Sequence, residues 1–331
     1  MNQPPIIELS HLTKKYKNLT AVDRLDLSIY PGEVFGLLGP NGAGKSTTIL
    51  MILGLSEPTA GRVRVCGIDS TTHPVEVKRK IGYLPDDVGF YDDRSGKFNL
   101  LYTARLNRIK DQVAYQRADR LLYQVGLSQV AEKKVGEYSR GMRQRLGLAD
   151  VLIKDPEIII LDEPTLGIDP EGVREFLELI VRLSREHGIT VLLSSHHLHQ
   201  VQQVCDRVGI FVQGKLLAEG DIPSLSQKLF EGEPLIIEAG IGFPDRGNPA
   251  DPLSNNHIGK LKDELLQLEG VGSVQYENDV FLIGCSRDIC PDIARLVINS
   301  GGDLRRLSKR EFGLNELYHR YFEDGKQDYN I

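Results

Sequence analysis

The stretch EVFGLLGPNGAGKSTTIL, Glu33–Leu50, restricts what this chain can fold into more than any other. A mostly apolar run, Glu33–Gly39, reads as a buried strand and leads straight into a glycine-rich turn. The helical pattern STTILMILGL follows and ends near Gly54. A strand, a turn of the form G-x-x-x-x-G-K-S and a helix, in that order, place successive backbone N–H groups around one point. The positive end of the helix dipole faces the same point. That arrangement holds phosphate: Lys45 reaches β- and γ-phosphate oxygens, and the Ser46 hydroxyl is suited to ligate magnesium.

A second strand ends in acid. EIIILDEP carries Asp162 at the close of an apolar run, with Glu163 next to it. Asp162 is placed to hold a magnesium ion, and Glu163 to orient and deprotonate an attacking water. Further strands are read at Ile6–Ser10, Leu25–Tyr30, GRVRVCG, KIGYLPDD and TVLLSSH. An amphipathic helix, GVREFLELIVRLSREHG, closes at Gly188, and residues 92–153 are helical and charged with one break at VGEYSRG. Alternating strands and helices imply a mainly parallel α/β sheet with a helical insertion, a P-loop NTPase architecture.

The composition shifts at Gly242–His257, a stretch rich in Gly, Pro, Asn and Asp that reads as loop. Around it strands are expected at Leu235–Ala239, Val274–Tyr276, Val280–Ile283 and Leu304–Leu307. Helices are expected at Ile258–Leu268, at Ile289–Asn299 and from Leu314. This order suits a small α+β ferredoxin-like domain. Residues 1–225 are therefore expected to form the nucleotide-binding domain and 226–331 an accessory domain.

With a formal net charge of -6 over 331 residues, no strongly basic footprint is present, and no nucleic-acid partner is expected. The start of the chain lacks the pattern of a signal peptide, and no apolar run reaches the ~20 residues of a membrane span. A cytosolic chain is expected, whose membrane role requires a partner. The four cysteines show no C-x-x-C spacing and read as free thiols. The histidines of SHHLH (His196, His197, His199) have no accompanying cluster of metal ligands.

YSRGMRQRL, Tyr138–Leu146, adds a capped helix: Ser139 is a good N-cap, and Gly141 lets another group approach the backbone. Taken together, residues 6–220 resemble the nucleotide-binding subunit of ABC transporters, of the exporter-like kind. GPNGAGKST corresponds to the Walker A loop, IIILDEPT to Walker B, LGID to the D-loop ending at Asp169, and SSH to the switch ending at His196. YSRGM stands at the LSGGQ signature. It keeps Ser139 and Gly141 and departs at Tyr138, Arg140 and Met142.

The resemblance implies an ATPase that uses ATP and Mg2+. Tyr16 would stack on adenine. Gly39, Asn41, Gly42, Ala43, Gly44, Lys45, Ser46 and Thr47 would hold the phosphates. Lys45, Glu163 and His196 would carry the chemistry, and Ser46 and Asp162 the metal. It further implies two subunits that sandwich two ATP molecules, each bound by one Walker A loop and by the partner's Ser139 and Gly141, at the cytoplasmic face of a membrane permease. In YLPDD the family's usual glutamine is replaced by Asp86, expected on the magnesium side and in contact with the permease. A soluble ABC-type ATPase acting as a regulatory factor, or as a ribosome- or DNA-associated one, is the alternative. Ribosomal members resemble two fused halves, and this chain has one Walker A loop. DNA-repair members carry long coiled coils, for which residues 86–139 leave no room. A GTPase would need N-K-x-D, which is missing.

Overall fold

The structure, a computed structural model, describes residues 3–229, 235–242, 252–277 and 280–309. Their contacts divide the chain into two units, with the break between Leu225 and Ser226.

The first unit contains two sheets where the sequence pattern suggested one. Strands β1 (Ile7–Tyr16) and β2 (Leu19–Ile29) form an antiparallel hairpin, and β4 (Ala60–Val65) and β5 (Ile68–Asp69) extend it in the order β2-β1-β4-β5. The second sheet has the order β10-β9-β3-β8-β7-β6. It is built from β3 (Val34–Leu38), β6 (Ile81–Leu84), β7 (Ile158–Asp162), β8 (Thr190–Ser195), β9 (Arg207–Val212) and β10 (Lys215–Gly220). All its pairings are parallel except the edge pair β9–β10. Every residue of β3, β7 and β8 is buried. Continuous apolar runs of this kind belong to parallel strands covered on both faces. Between the sheets, Ile7, Leu12, Leu25 and Ile29 share one core with Phe35, Leu37, Ile158 and Phe211. The short alternating pattern of β1 and β2 is the mark of strands covered on one face, which is why they belong to the separate antiparallel layer.

Helix α1 (Lys45–Ile52) follows β3, and α2 (Pro74–Lys80) precedes β6. The helical segment comprises α3 (Gly96–Leu106), α4 (Asp111–Gln124) and α5 (Arg140–Leu152), with the expected break occupied by 3-10 turns. α3 and α5 are capped by Ser95 and Ser139, whose hydroxyls accept from Phe98 N and Met142 N. α6 (Pro170–His187) starts with Asp169 as cap and proline at its first position. It buries Phe176, Leu177, Ile180 and Leu183 and ends at Gly188 in the left-handed region, φ 65°. α7 (Leu198–Val204) follows β8, and α8 (Ile222–Leu229) contains the break between the units.

The second unit runs β11 (Leu235–Gly242), α9 (Pro252–Leu266), β12 (Val271–Glu277), β13 (Val280–Cys285), α10 (Cys290–Asn299) and β14 (Asp303–Lys309). Its sheet is antiparallel throughout, in the order β12-β13-β11-β14. Leu261 and Leu265 of α9 and Ile293 and Val297 of α10 share one core with Ile237, Ile241, Phe281 and Ile283 of the sheet. The stretch expected as loop, Gly242–His257, is shorter than the sequence suggested, because α9 begins at Pro252. Proline is compatible with the first turn of a helix and so marks a start as readily as a loop. The helix expected from Leu314 lies outside the described residues.

One acid in the helical segment is placed at a cost. Asp150 on α5 keeps part of its surface exposed, but its Oδ1 is buried without a hydrogen-bond partner. Burial pushes its carboxyl up from 3.8 to about 6, against the opposing effects of a bond to Thr103 and the Lys154 charge. A carboxyl that holds its proton more tightly when folded favours the folded state in acid. That advantage is complete below the unfolded value and is lost as pH rises through the folded one. Between about pH 4 and pH 7 the chain therefore loses about 3 kcal/mol through this group. Asp150→Asn removes the effect. Its stability, followed by thermal melting across that pH range, should fall less than that of the unsubstituted chain, and equal slopes would refute the assignment.

Candidate nucleotide site

The parallel sheet brings four chain segments to one edge. In sheet order the carboxyl ends of β3, β8, β7 and β6 lead into the glycine loop, His196, Asp162–Glu163 and Asp86. Ligands bind in such crevices in open α/β sheets because the loops there diverge and helix N-termini converge. A cavity of about 980 Å³ lies at this edge. Its walls include Tyr16, Asn41, Gly42, Ala43, Gly44, Lys45, Ser46, Thr47, Asp86, Glu163 and His196.

The glycine loop is held by close packing. A Cβ at Gly39 would lie 2.3 Å from the Phe211 carbonyl oxygen. At Gly44, where φ is +106°, it would lie 2.3 Å from the Ala21 carbonyl oxygen. Glycine at these two positions lets β2 and β9 approach the loop from behind. Lys45 is 5% exposed. Its Nζ donates to the carbonyls of Gly39 at 2.7 Å and Pro40 at 3.2 Å, which fixes the ammonium inside its own loop.

The acids occupy the adjoining strand end. Asp162 Oδ1 accepts from Ser194 Oγ at 2.5 Å and from Ser46 Oγ at 3.3 Å. One carboxylate oxygen therefore ties β7 to β8 and to the start of α1. Glu163 adopts φ 48°, a left-handed conformation that costs a non-glycine residue energy. Its N–H donates to Ser194 O at 3.2 Å and to Ser194 Oγ at 3.1 Å, which holds the strained turn. Its carboxylate is shared between two cations or donors. Oε2 is bonded to His196 Nδ1 at 2.8 Å. Oε1 is 3.3 Å from Lys45 Nζ, close enough for charge attraction but without hydrogen-bond alignment, and it has no other partner. The His197 ring lies against that of His196, tilted by 41° with ring centroids 3.9 Å apart. Burial, then the neighbouring His196 charge, lowers its pKa.

Two residues of this site were not singled out as functional by sequence reading. Ser194 is fully buried in β8 and serves both acids. A hydroxyl in an otherwise apolar strand was the available signal. Tyr83 on β6 has its phenol pushed up to about 12, by burial first and then by the negative charges of Asp162 and Asp86. It remains a neutral donor beside two acids.

The remaining expected positions divide into two groups. Tyr16 and Asp86 border the cavity. Tyr16 is 46% exposed, with Lys14 Nζ 4.9 Å from its ring centre. Asp86 is exposed, and its Oδ1 accepts from the N–H of Asp87 at 2.9 Å. Ser139 and Gly141 are not among the residues that line this cavity within the chain. Ser139 caps α5, and space remains over Gly141, where a Cβ would meet only Ile168 at 3.6 Å. The neighbouring departure, Tyr138, is a packing residue: it is buried, and its hydroxyl donates to Val130 O at 2.7 Å.

Residues 22–166 match the family described as ABC transporter. The bacitracin transport ATP-binding protein BcrA of Bacillus licheniformis is 43% identical over 214 residues, 65% of this chain and 69% of that protein. An uncharacterized ABC transporter ATP-binding protein, sll0415, of Synechocystis sp. is 32% identical over 332 residues, 96% of this chain and 86% of that protein. Among solved structures, the dimeric ATP-binding cassette MJ0796, in a post-hydrolysis state bound to ADP and Pi, superposes with a TM-score of 0.60. It is 26% identical and covers 65% of this chain and 98% of its own. The cavity at the strand ends, its buried lysine and its paired acids thus lie in a chain that belongs to the ATP-binding subunits of ABC transporters.

Proposed function

We propose that this chain hydrolyses ATP at the cavity around Lys45 and Glu163 and thereby drives transport through a separate membrane permease. The observation that carries the reading is the convergence on one point of a fixed ammonium, a strained glutamate and a histidine. No described helix is long and apolar enough to cross a membrane. We read it as the exporter-like kind, at the cytoplasmic face of the membrane; the likeness to a bacitracin transport ATP-binding protein supports the transport role.

The residues divide the work as follows. The amides of Gly42–Thr47 and the Lys45 ammonium bind phosphate oxygens. Tyr16 stacks on the adenine. His196 and Lys45 orient the Glu163 carboxylate from two sides, and Glu163 takes the proton of the attacking water. Asp162 and Ser46 form a hard oxygen pair already joined at 3.3 Å, which fits magnesium, and Asp86 at the cavity edge is a further oxygen donor toward it. Bound there, the ion would neutralise phosphate charge. Ser139 and Gly141, outside the cavity of their own chain, would meet the nucleotide held by a second subunit. The dimeric state of the MJ0796 cassette supports this pairing.

Glu163→Gln keeps the shape of the site and removes its base. ATP should still bind, turnover should fall by a factor on the order of 10² or more, and a dimer should persist in ATP and magnesium. Size measurement that finds only monomer, with turnover unchanged, would overturn the role given to Glu163.

We assign residues 1–225 to the ATPase domain, with its helical subdomain at about 92–153, and 226–331 to a ferredoxin-like accessory domain. The residues that border the cavity described above all belong to the first unit. A chain truncated near Glu231 should therefore bind ATP with nearly unchanged affinity in a calorimetric titration. A folded truncated chain that binds much more weakly would contradict the division.

A further inference from the structure

The two charged departures from the family pattern, Asp86 and Arg140, carry opposite signs and border the same space. A second cavity, of about 270 Å³, is lined by Asp86, Asp87, Val88, Arg140, Arg143 and Gln144. Asp86 borders this cavity and the larger nucleotide cavity alike. An acid at that edge brings negative charge toward bound phosphates, which a neutral amide would not.

Arg140 is exposed, and no carboxylate among the described residues pairs with it. Its stem lies over Gly167: a Cβ there would be 2.8 Å from Arg140 Cδ and Nε. With φ at +73° and no side chain, Gly167 provides the surface on which the arginine rests. The other basic residue of the cavity, Arg143, is already bonded to Asp92 at 2.7 Å. Gln144 is 3% exposed, and its Nε2 donates to the Asp86 carbonyl at 3.5 Å. Its Oε1 is buried with no hydrogen-bond partner. A buried acceptor without a donor costs energy, and a guanidinium has five donors in a planar fork.

We propose that Arg140 is a positioning residue for Asp86. Its guanidinium turns from Gly167 into the small cavity, donates to the Asp86 carboxylate and to Gln144 Oε1, and neutralises the acid at the edge of the phosphate site. The proposal rests on the reading of the larger cavity as the nucleotide site. In this chain the charge pair takes the place of the neutral glutamine and glycine. The signature helix thereby senses and sets the charge beside the phosphates.

The test is a double-mutant cycle read by equilibrium binding of the non-hydrolysed analogue AMP-PNP with magnesium. Arg140→Met keeps the stem over Gly167 and removes the charge. It should weaken binding roughly fivefold at low salt, and the loss should shrink at high salt. Arg140→Lys should restore most of the affinity. In an Asp86→Gln background, Arg140→Met should change affinity less than about twofold, because the acid that borders both cavities is gone. An equal loss in both backgrounds would mean that Arg140 acts independently of Asp86, and would overturn the proposal. So would no loss at all, or a failure of lysine to rescue in a variant whose melting curve shows it to be folded. Absence of AMP-PNP binding by the unsubstituted chain is a separate result: it would remove the nucleotide reading, and the proposal with it.

Discussion

The bond from Ser194 Oγ to Asp162 Oδ1, at 2.5 Å, joins the ends of two neighbouring buried strands, and the rest of the site depends on it. The same serine accepts the N–H of Glu163 and so stabilises the positive φ that turns the glutamate toward Lys45. Asp162 in turn accepts from Ser46, the first residue after the lysine. Two strand ends and the start of α1 are thereby tied together through one hydroxyl and one carboxylate. In a buried setting such shared hydrogen bonds are strong, and each member is costly to orphan. The strain at Glu163 is affordable only because its surroundings over-determine it.

Electrostatics then sorts the roles. Lys45 is almost fully buried, and two loop carbonyls hold it before any anion arrives from outside. Glu163 lies between that ammonium and the His196 ring, so its carboxylate has little freedom to rotate. The glycine loop and the glutamate proposed as base are therefore preorganised with respect to one another, which is where most catalytic benefit arises in transfer reactions. The signature segment is organised differently. Tyr138 anchors it by packing, Ser139 caps its helix, and Arg140 leaves the helix surface toward Gly167. None of these three residues lines the larger cavity within its own chain.

Much of this was legible in the sequence because the relevant constraints are local. The glycine loop requires particular backbone shapes between a strand and a helix, so the place of GPNGAGKST follows from its residues alone. The runs VFGLL and IIILD are apolar on both faces, which only a covered parallel strand tolerates. The cap residues Ser139 and Asp169 and the terminator Gly188 were readable for the same reason. Long-range relations were not readable. Nothing near Leu25 or Val63 says that β2 and β4 leave the main sheet and form their own antiparallel layer. Nothing around Ser194 says that it meets Asp162, 32 residues away. The adjacency of Asp86 and Arg140 at one cavity likewise depends on how the helical segment packs on the strand ends. Pro252 misled for a simpler reason: proline occurs both in loops and in the first turn of helices.

The central claim is that the preorganised group of Lys45, Asp162, Glu163 and Ser194 hydrolyses ATP. Its most direct test is the rate of inorganic phosphate release from ATP and magnesium by the purified chain, compared with that of Ser194→Ala. Loss of this hydroxyl removes the donor to Asp162 and the acceptor for Glu163 N–H without touching any group expected to contact the nucleotide. The account predicts sustained phosphate release by the unsubstituted chain and a fall of at least tenfold in the variant, corresponding to about 1.4 kcal/mol of transition-state stabilisation. Equal rates in two equally folded proteins would contradict it.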